Sequence, residues 1–129
     1  MKKNLTSLSK NIHLAISALI VVVVGAIYGL KPRLLFDIHP KTTDEYNIFK
    51  AIMGLYFAFG MFWFLAIFNN KFWKIATMSN MLFMFGLAYG RLISMIFDGI
   101  PSTIFVLGTF GEIGLGSYAF YIFKRFSKT

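Results

Sequence analysis

The sequence predicts an all-α membrane protein: a four-transmembrane-helix, up-down-up-down bundle with both termini cytoplasmic. Three observations carry this. Of 129 residues, 57% are hydrophobic and only 14% are charged, against about 25% charged in a soluble domain. The apolar residues fall into four runs of roughly 20 residues or more, each long enough to cross a hydrocarbon core about 30 Å thick. The links between runs are short, which makes consecutive helices antiparallel neighbours. Four such helices use the whole chain as a single transmembrane domain, residues 1–129.

The basic head Met1–Asn11 leads into the first span, roughly residues 12–30, which stops at Lys31-Pro32. Its apolar run is long for a signal peptide, and Val24-Gly25-Ala26 is a poor cleavage site, so it is expected to be a retained helix. The connection from Lys31 to Asp44 holds Pro32, Pro40 and the apolar patch Leu34-Leu35-Phe36, which is expected to lie in the membrane interface. Thr43 or Asp44 can cap the second span, roughly 46–68, with Glu45 in its first turn. Asn69-Asn70-Lys71 makes a tight turn into the third span, roughly 73–97. Asp98-Gly99-Ile100-Pro101 makes another, and Ser102 is expected to cap the fourth span, roughly 102–123. The two halves show no repeat of the inverted-transporter kind.

Charge sets the expected orientation. Lys2, Lys3, Lys10, Lys71, Lys74, Lys124, Arg125 and Lys128 fall on one side. Lys31, Arg33, Lys41 and Lys50 fall on the other, diluted by Asp37, Asp44 and Glu45. The positive-inside rule puts the first group, and both termini, in the cytoplasm. Trp63, Trp73 and Tyr121 are read as aromatics near the cytoplasmic boundary, and Tyr28 and Tyr46 as markers of the outer one. The net charge of +8 is not a nucleic-acid signal, because the basic residues sit at the ends of apolar runs, where topology signals and anionic-lipid contacts belong. With no cysteine, thiolate metal sites, iron–sulfur clusters and thiol redox chemistry are excluded.

Two residues break the membrane rules. Arg91 interrupts the third span and Glu112 the fourth. A charge at a helix centre costs roughly 2.5–3.5 kcal/mol on insertion scales unless paired or wetted, so each is a site candidate. At 1.5 Å per residue, Lys50 lies about 8 Å, Arg91 about 10 Å and Glu112 about 16 Å inside the outer ends of their helices. Asp98 sits at the outer boundary. Arg91, Ser94 and Asp98 share one helical stripe. Glu112 shares its own with Gly108, Gly116 and Ala119, which turns it toward a neighbouring helix. Three readings stay open. Lys50, Arg91, Glu112 and Asp98, with the aromatics Tyr56 or Tyr89, form a polar pocket in the outer half; or Arg91 and Glu112 form a structural ion pair; or Arg91 and Lys50 snorkel outward.

Gly25/Gly29 and Gly86/Gly90 each form a GxxxG, and with Gly108 and Gly116 they are read as helix-packing positions. His13 is read as a solvated helix end and His39 as loop. The two lie on opposite sides, so they share no metal, and no cofactor is expected. Asn80 is expected to hydrogen-bond between helices.

The stretch Phe49-Lys50-Ala51-Ile52-Met53-Gly54-Leu55-Tyr56, the run Gly90-Arg91-Leu92-Ile93-Ser94 to Asp98-Gly99-Ile100-Pro101-Ser102, and Glu112 in the fourth span resemble the bacterial domain-of-unknown-function family numbered 4345. Lys50 stands where that pattern has Arg, which keeps the charge but loses the planar fork. The resemblance covers spans two to four. It implies a small four-helix protein of the bacterial inner membrane and brings no established activity. The expected role is a non-catalytic accessory or interaction subunit, in contact with membrane lipids and with a larger membrane complex or a second copy. The alternative is a binding or transport protein for a small molecule, anion or lipid headgroup, using the outer pocket. No nucleophile elbow, phosphate loop or paired-carboxylate motif is present, so an enzyme is not expected.

Overall fold

The computed structural model describes residues 2–128. The side chains of Lys2 and Lys3, counted above in the orientation, lie outside what is described, as does Thr129. The elements are α1 (Lys2–Leu30), α2 (Arg33–Phe36), α3 (Thr43–Phe68), a 3₁₀ turn (Asn70–Phe72), α4 (Trp73–Phe97) and α5 (Thr103–Phe126). Among the described residues there is no strand. Four helices are long and apolar enough to cross a membrane, with 23, 26, 28 and 24 residues in the qualifying stretches.

Several boundaries differ from the sequence expectation. α1 begins at Lys2 rather than near Ile12, because no Gly or Pro interrupts the chain before Gly25 and a polar turn can continue an apolar helix. It stops one residue short of Lys31, which the following Pro32 pushes away from helical geometry. α3 starts at Thr43, and its cap is Thr42 rather than Thr43 or Asp44. Thr42 Oγ1 accepts from the Glu45 backbone N–H at 3.2 Å, and the Glu45 carboxylate accepts from the backbone N–H of Thr42 at 3.0 Å and from that of Lys41. This capping box satisfies donors that the first turn leaves unpaired. Ser102 precedes α5 without a side-chain cap bond.

The long connection folds back over one end of the bundle. Leu34-Leu35-Phe36 forms most of the single turn α2, which ends at Asp37 in left-handed geometry (φ 51°).

Contacts along the helices give the topology. Gly25 of α1 lies beneath Tyr56 of α3, Gly29 beneath Met53, and Val21 and Val22 against Gly60, so α1 and α3 run antiparallel. A Cβ at Gly25 would fall 2.7 Å from Tyr56 Cβ, so the approach there needs glycine. Trp63 of α3 donates its indole N–H to Ser79 Oγ of α4 at 2.9 Å, while Tyr56 meets Phe83, so these two helices are antiparallel as well. Gly116 of α5 receives Phe85 of α4, and Arg91 meets Glu112, so α4 and α5 are antiparallel. α1 and α4 run parallel, since His13 meets Thr77 and Tyr28 meets Arg91. The start of α1 and the end of α5 therefore lie at one end of an up-down-up-down bundle, the terminal end, and α2 lies at the other.

Trp63 and Trp73, toward the terminal end, are fully buried. Each indole N–H finds an internal acceptor: Ser79 Oγ for Trp63, and the Lys10 carbonyl at 3.4 Å for Trp73. Tyr28 is buried too, whereas Tyr46 and Tyr121 are exposed. The outward faces carry Leu19, Leu55, Phe64, Leu82, Ile96, Leu107 and Phe110 in the open. So many exposed large apolar side chains are more than a water-facing surface ordinarily carries.

Candidate functional site

Arg91 and Glu112 meet where α4, α5 and α1 converge near the α2 end. Arg91 projects from the inner stripe of α4 that also carries Met84 and Ala88, both buried. Glu112 projects from α5 one turn before Gly116, whose missing side chain admits Phe85 and brings the two helices together. Arg91 Nε donates to Glu112 Oε1 at 2.9 Å and to Oε2 at 3.0 Å, with the two side chains 21% and 12% exposed. A charge-assisted bond of this length is roughly twice as strong as a neutral one. The guanidinium is not used as a fork, however: a single N–H serves both carboxylate oxygens.

The rest of the guanidinium is lightly engaged. Nη2 donates to Tyr28 Oη at 3.5 Å, and the plane lies 5.3 Å from the Phe105 ring centroid. Nη1 has no hydrogen-bond acceptor among the described residues. Arg carries five N–H donors, so most remain unused.

Aromatic rings close the α2 end of the site. Phe36 of α2 stacks on Tyr28 (4.4 Å, 14° between planes) and on Phe105 (5.1 Å, 22°). Tyr56 stands edge-on to Tyr28 at 5.9 Å. Below this stack a cavity of about 310 Å³ lies between α1 and α5, walled by Ile20, Val24, Leu35, Leu107 and Leu115, with Arg91, Glu112 and Tyr56 in its lining. Ile20 and Leu107 are exposed, so the cavity opens through the side of the bundle. A second groove of about 370 Å³ lies on the other side, between α3 and α4, lined by Ile52, Leu55, Gly86 and Gly90. Arg91, Tyr56 and Leu87 border both.

Of the sequence candidates, Arg91, Glu112 and Tyr56 come together. Lys50 does not: the face of α3 that turns inward carries Phe49, Ile52, Met53 and Tyr56, leaving Lys50 exposed with its ammonium 5.4 Å from the Tyr46 ring. Asp98 is exposed past the end of α4 and accepts from Ser94 Oγ at 2.8 Å. Tyr89 is 68% exposed, on the side of α4 opposite Ala88 and Arg91. Tyr28, Phe36 and Phe105 were missed as site residues. Tyr28 was within reach of sequence reasoning, since it follows Val21 and Gly25 on one stripe of α1.

The glycine assignments divide. Gly25, Gly29 and Gly116 carry close approaches of neighbouring side chains. Gly86, Gly90 and Gly108 have open space where a side chain would stand, so within this chain they shape openings rather than packing.

A second polar cluster lies toward the terminal end. His13 and Ser17 of α1 and Thr77 and Asn80 of α4 are each fully buried. His13 is no solvated helix end: with α1 starting at Lys2, it lies about 16 Å along the helix. Thr77 Oγ1 donates to the Trp73 carbonyl at 2.8 Å, so His13 Nε2, 3.1 Å away, is the donor of the pair. The ring is framed edge-on by Trp73 and Tyr118. His13 Nδ1, Ser17 Oγ and both amide atoms of Asn80 have no hydrogen-bond partner among the described residues, so the interhelical bond expected of Asn80 is not made. His39, at the opposite end, has Nδ1 3.0 Å from the Asp37 carbonyl. No group of three or more His, Cys, Asp or Glu side chains among the described residues could hold a metal.

The fold and this site together define a small helical-bundle protein with four membrane-length apolar helices and one ion pair lodged among them. The family described as "Domain of unknown function (DUF4345)" matches residues 9–123, and the chain belongs to it. No curated protein and no solved structure matches the chain.

Proposed function

We propose that this is a non-catalytic, four-span protein of the bacterial cytoplasmic (inner) membrane, with both termini in the cytoplasm, that binds a lipid-like small molecule at the Arg91–Glu112 pair. The observation that carries the reading is the half-used guanidinium at the edge of a side-opening apolar cavity. A purely structural ion pair has no use for unspent donors beside 310 Å³ of unfilled space; pockets that hold small molecules combine apolar walls with a few placed polar groups. The pair offers donors and an acceptor, and the Glu112 carboxylate accepts from Arg91 Nε through both oxygens rather than standing free as a nucleophile or base, which favours binding over reaction. The orientation rests on Lys10, Lys71, Lys74, Lys124 and Arg125 near the terminal end, against Lys31, Arg33, Lys41 and Lys50 mixed with acids near the α2 end.

The test is extraction into polymer-bounded native nanodiscs followed by native mass spectrometry. The wild type is expected to retain a small molecule that Arg91→Ala, checked for helix content, does not. Equal occupancy in the two proteins would remove the reading.

One observation favours a second role, as accessory subunit to a larger membrane complex or as a homo-oligomer. Gly86 and Gly90 leave the α3–α4 groove open to a backbone from outside, and close approach over small residues is how membrane helices associate. A monomeric mass in mild detergent directly after extraction would count against it.

A further inference from the structure

Given binding at the Arg91–Glu112 cavity, on which this inference rests, we infer that the ligand is an uncharged single-chain amphiphile: a carbonyl- or hydroxyl-bearing head on an alkyl or alkenyl chain. The argument starts from charge. Glu112 accepts from Arg91 Nε through both carboxylate oxygens, so the floor of the cavity is close to neutral. No other ionised side chain among the described residues lines it. An anionic head reaching the Nη1 group would shed its water and come to rest beside the Glu112 carboxylate, with no surplus positive charge to offset either cost. A cationic head would meet the guanidinium. An uncharged oxygen acceptor pays neither penalty and satisfies donors that are otherwise unpartnered. Tyr28 Oη, 3.5 Å from Nη2, holds that side of the guanidinium from outside the cavity.

The walls define the rest of the molecule. Ile20, Val24, Leu107 and Leu115 offer no polar side-chain atom, and the opening faces sideways between α1 and α5. A chain attached to the head therefore leaves the bundle laterally, into the layer that covers its apolar exterior. Phe36, stacked between Tyr28 and Phe105, closes the α2 end, so entry from water at that end is blocked. At a water's share of roughly 30 Å³, the 310 Å³ cavity holds about ten small heavy atoms, a head and its first few carbons.

The test uses two photoreactive probes with one diazirine acyl chain: a monoacylglycerol, and the corresponding 1-acylglycerol 3-phosphate. Each is incubated with full-length protein in nanodiscs of zwitterionic lipid, and the cross-linked residues are mapped by mass spectrometry. In the wild type, the uncharged probe is expected to label the α1 and α5 walls about tenfold more than the phosphate probe. Glu112→Gln uncovers the guanidinium charge and should reverse that order, since at the effective permittivity of about 20 typical of a protein surface a full charge pair near 4 Å is worth well over a factor of ten. Leu107→Trp, which fills the opening and leaves the pair intact, should abolish labelling by both.

Equal or stronger labelling of these walls by the phosphate probe in the wild type overturns the ligand class but leaves cavity binding standing. Absence of labelling there by either probe overturns cavity binding itself. An unchanged preference in folded Glu112→Gln refutes the charge argument. If that variant does not fold, the wild-type comparison decides alone.

Discussion

Breaking the Arg91–Glu112 pair one side at a time should cost far more than removing both. The contact is at 2.9 Å, which places the two charge centres about 4 Å apart. At an effective permittivity near 20, the direct attraction is about 4 kcal/mol. Removing one partner of a buried pair typically costs about 3–5 kcal/mol, and the 21% and 12% exposures argue for the lower end. The two single variants should differ. In Arg91→Met the stranded Glu112 can take up a proton, which for an ordinary carboxyl at pH 7 costs about 3.7 kcal/mol and caps the loss. In Glu112→Gln the guanidinium stays charged and in place, but the Gln amide oxygen can still accept from Nε, so the donor is not left unpaired. Losses of about 3 kcal/mol for Arg91→Met and about 1.5 kcal/mol for Glu112→Gln are expected. The double variant should fall within about 1 kcal/mol of wild type, because neither buried charge then remains. The assay is reversible unfolding in mixed micelles on titration with sodium dodecyl sulfate, followed by far-ultraviolet circular dichroism and analysed as a double-mutant cycle. A double variant whose loss equals the sum of the singles would refute the coupling.

Two further expectations use the same unfolding assay. Gly25 and Gly86 look alike in sequence, yet Gly25→Ala should lose about 1–3 kcal/mol by driving a Cβ into Tyr56. Gly86→Ala should be neutral or gain about 0.5–1 kcal/mol, since its surroundings are open and alanine favours helix; equal losses at both sites would contradict the packing described. Asn80→Leu should raise stability by about 1–3 kcal/mol, because it removes a buried amide with neither atom partnered. A loss of that size would mean that the amide is satisfied in the working protein.

Much of the bundle was legible before any coordinates. The four apolar runs, their short links and the positions of Pro32 and Pro101 left few other architectures, and the third helix has the bounds its hydropathy suggested, Trp73–Phe97. Helix ends were less legible. Hydropathy marks only the apolar stretch, whereas a helix stops only where backbone geometry or capping makes it stop. That is why α1 reaches back to Lys2 and α3 to Thr43, and why His13 moves from a supposed helix end to the interior.

The candidate site was half legible, because depth and face are different kinds of information. Depth along a helix is linear in residue number, so it placed Arg91 and Glu112 at neighbouring heights. Facing depends on which helix stands beside which, and here the inner stripe of α3 runs through Phe49, Ile52 and Tyr56, one residue's rotation away from Lys50. The same applies to glycine: a GxxxG states that backbones can approach, and only the neighbour decides whether they do, as Gly25 and Gly86 show.

The sequence by itself determined the class of the molecule, since composition and run length fix how much apolar surface must be kept from water and how long each helix is. Only tertiary structure decided that Arg91 spends a single N–H on Glu112 and that Phe36 seals the α2 end over an open cavity. Those facts depend on distances between helices far apart in the chain. Such distances are set by the collective packing of side chains rather than by any local pattern.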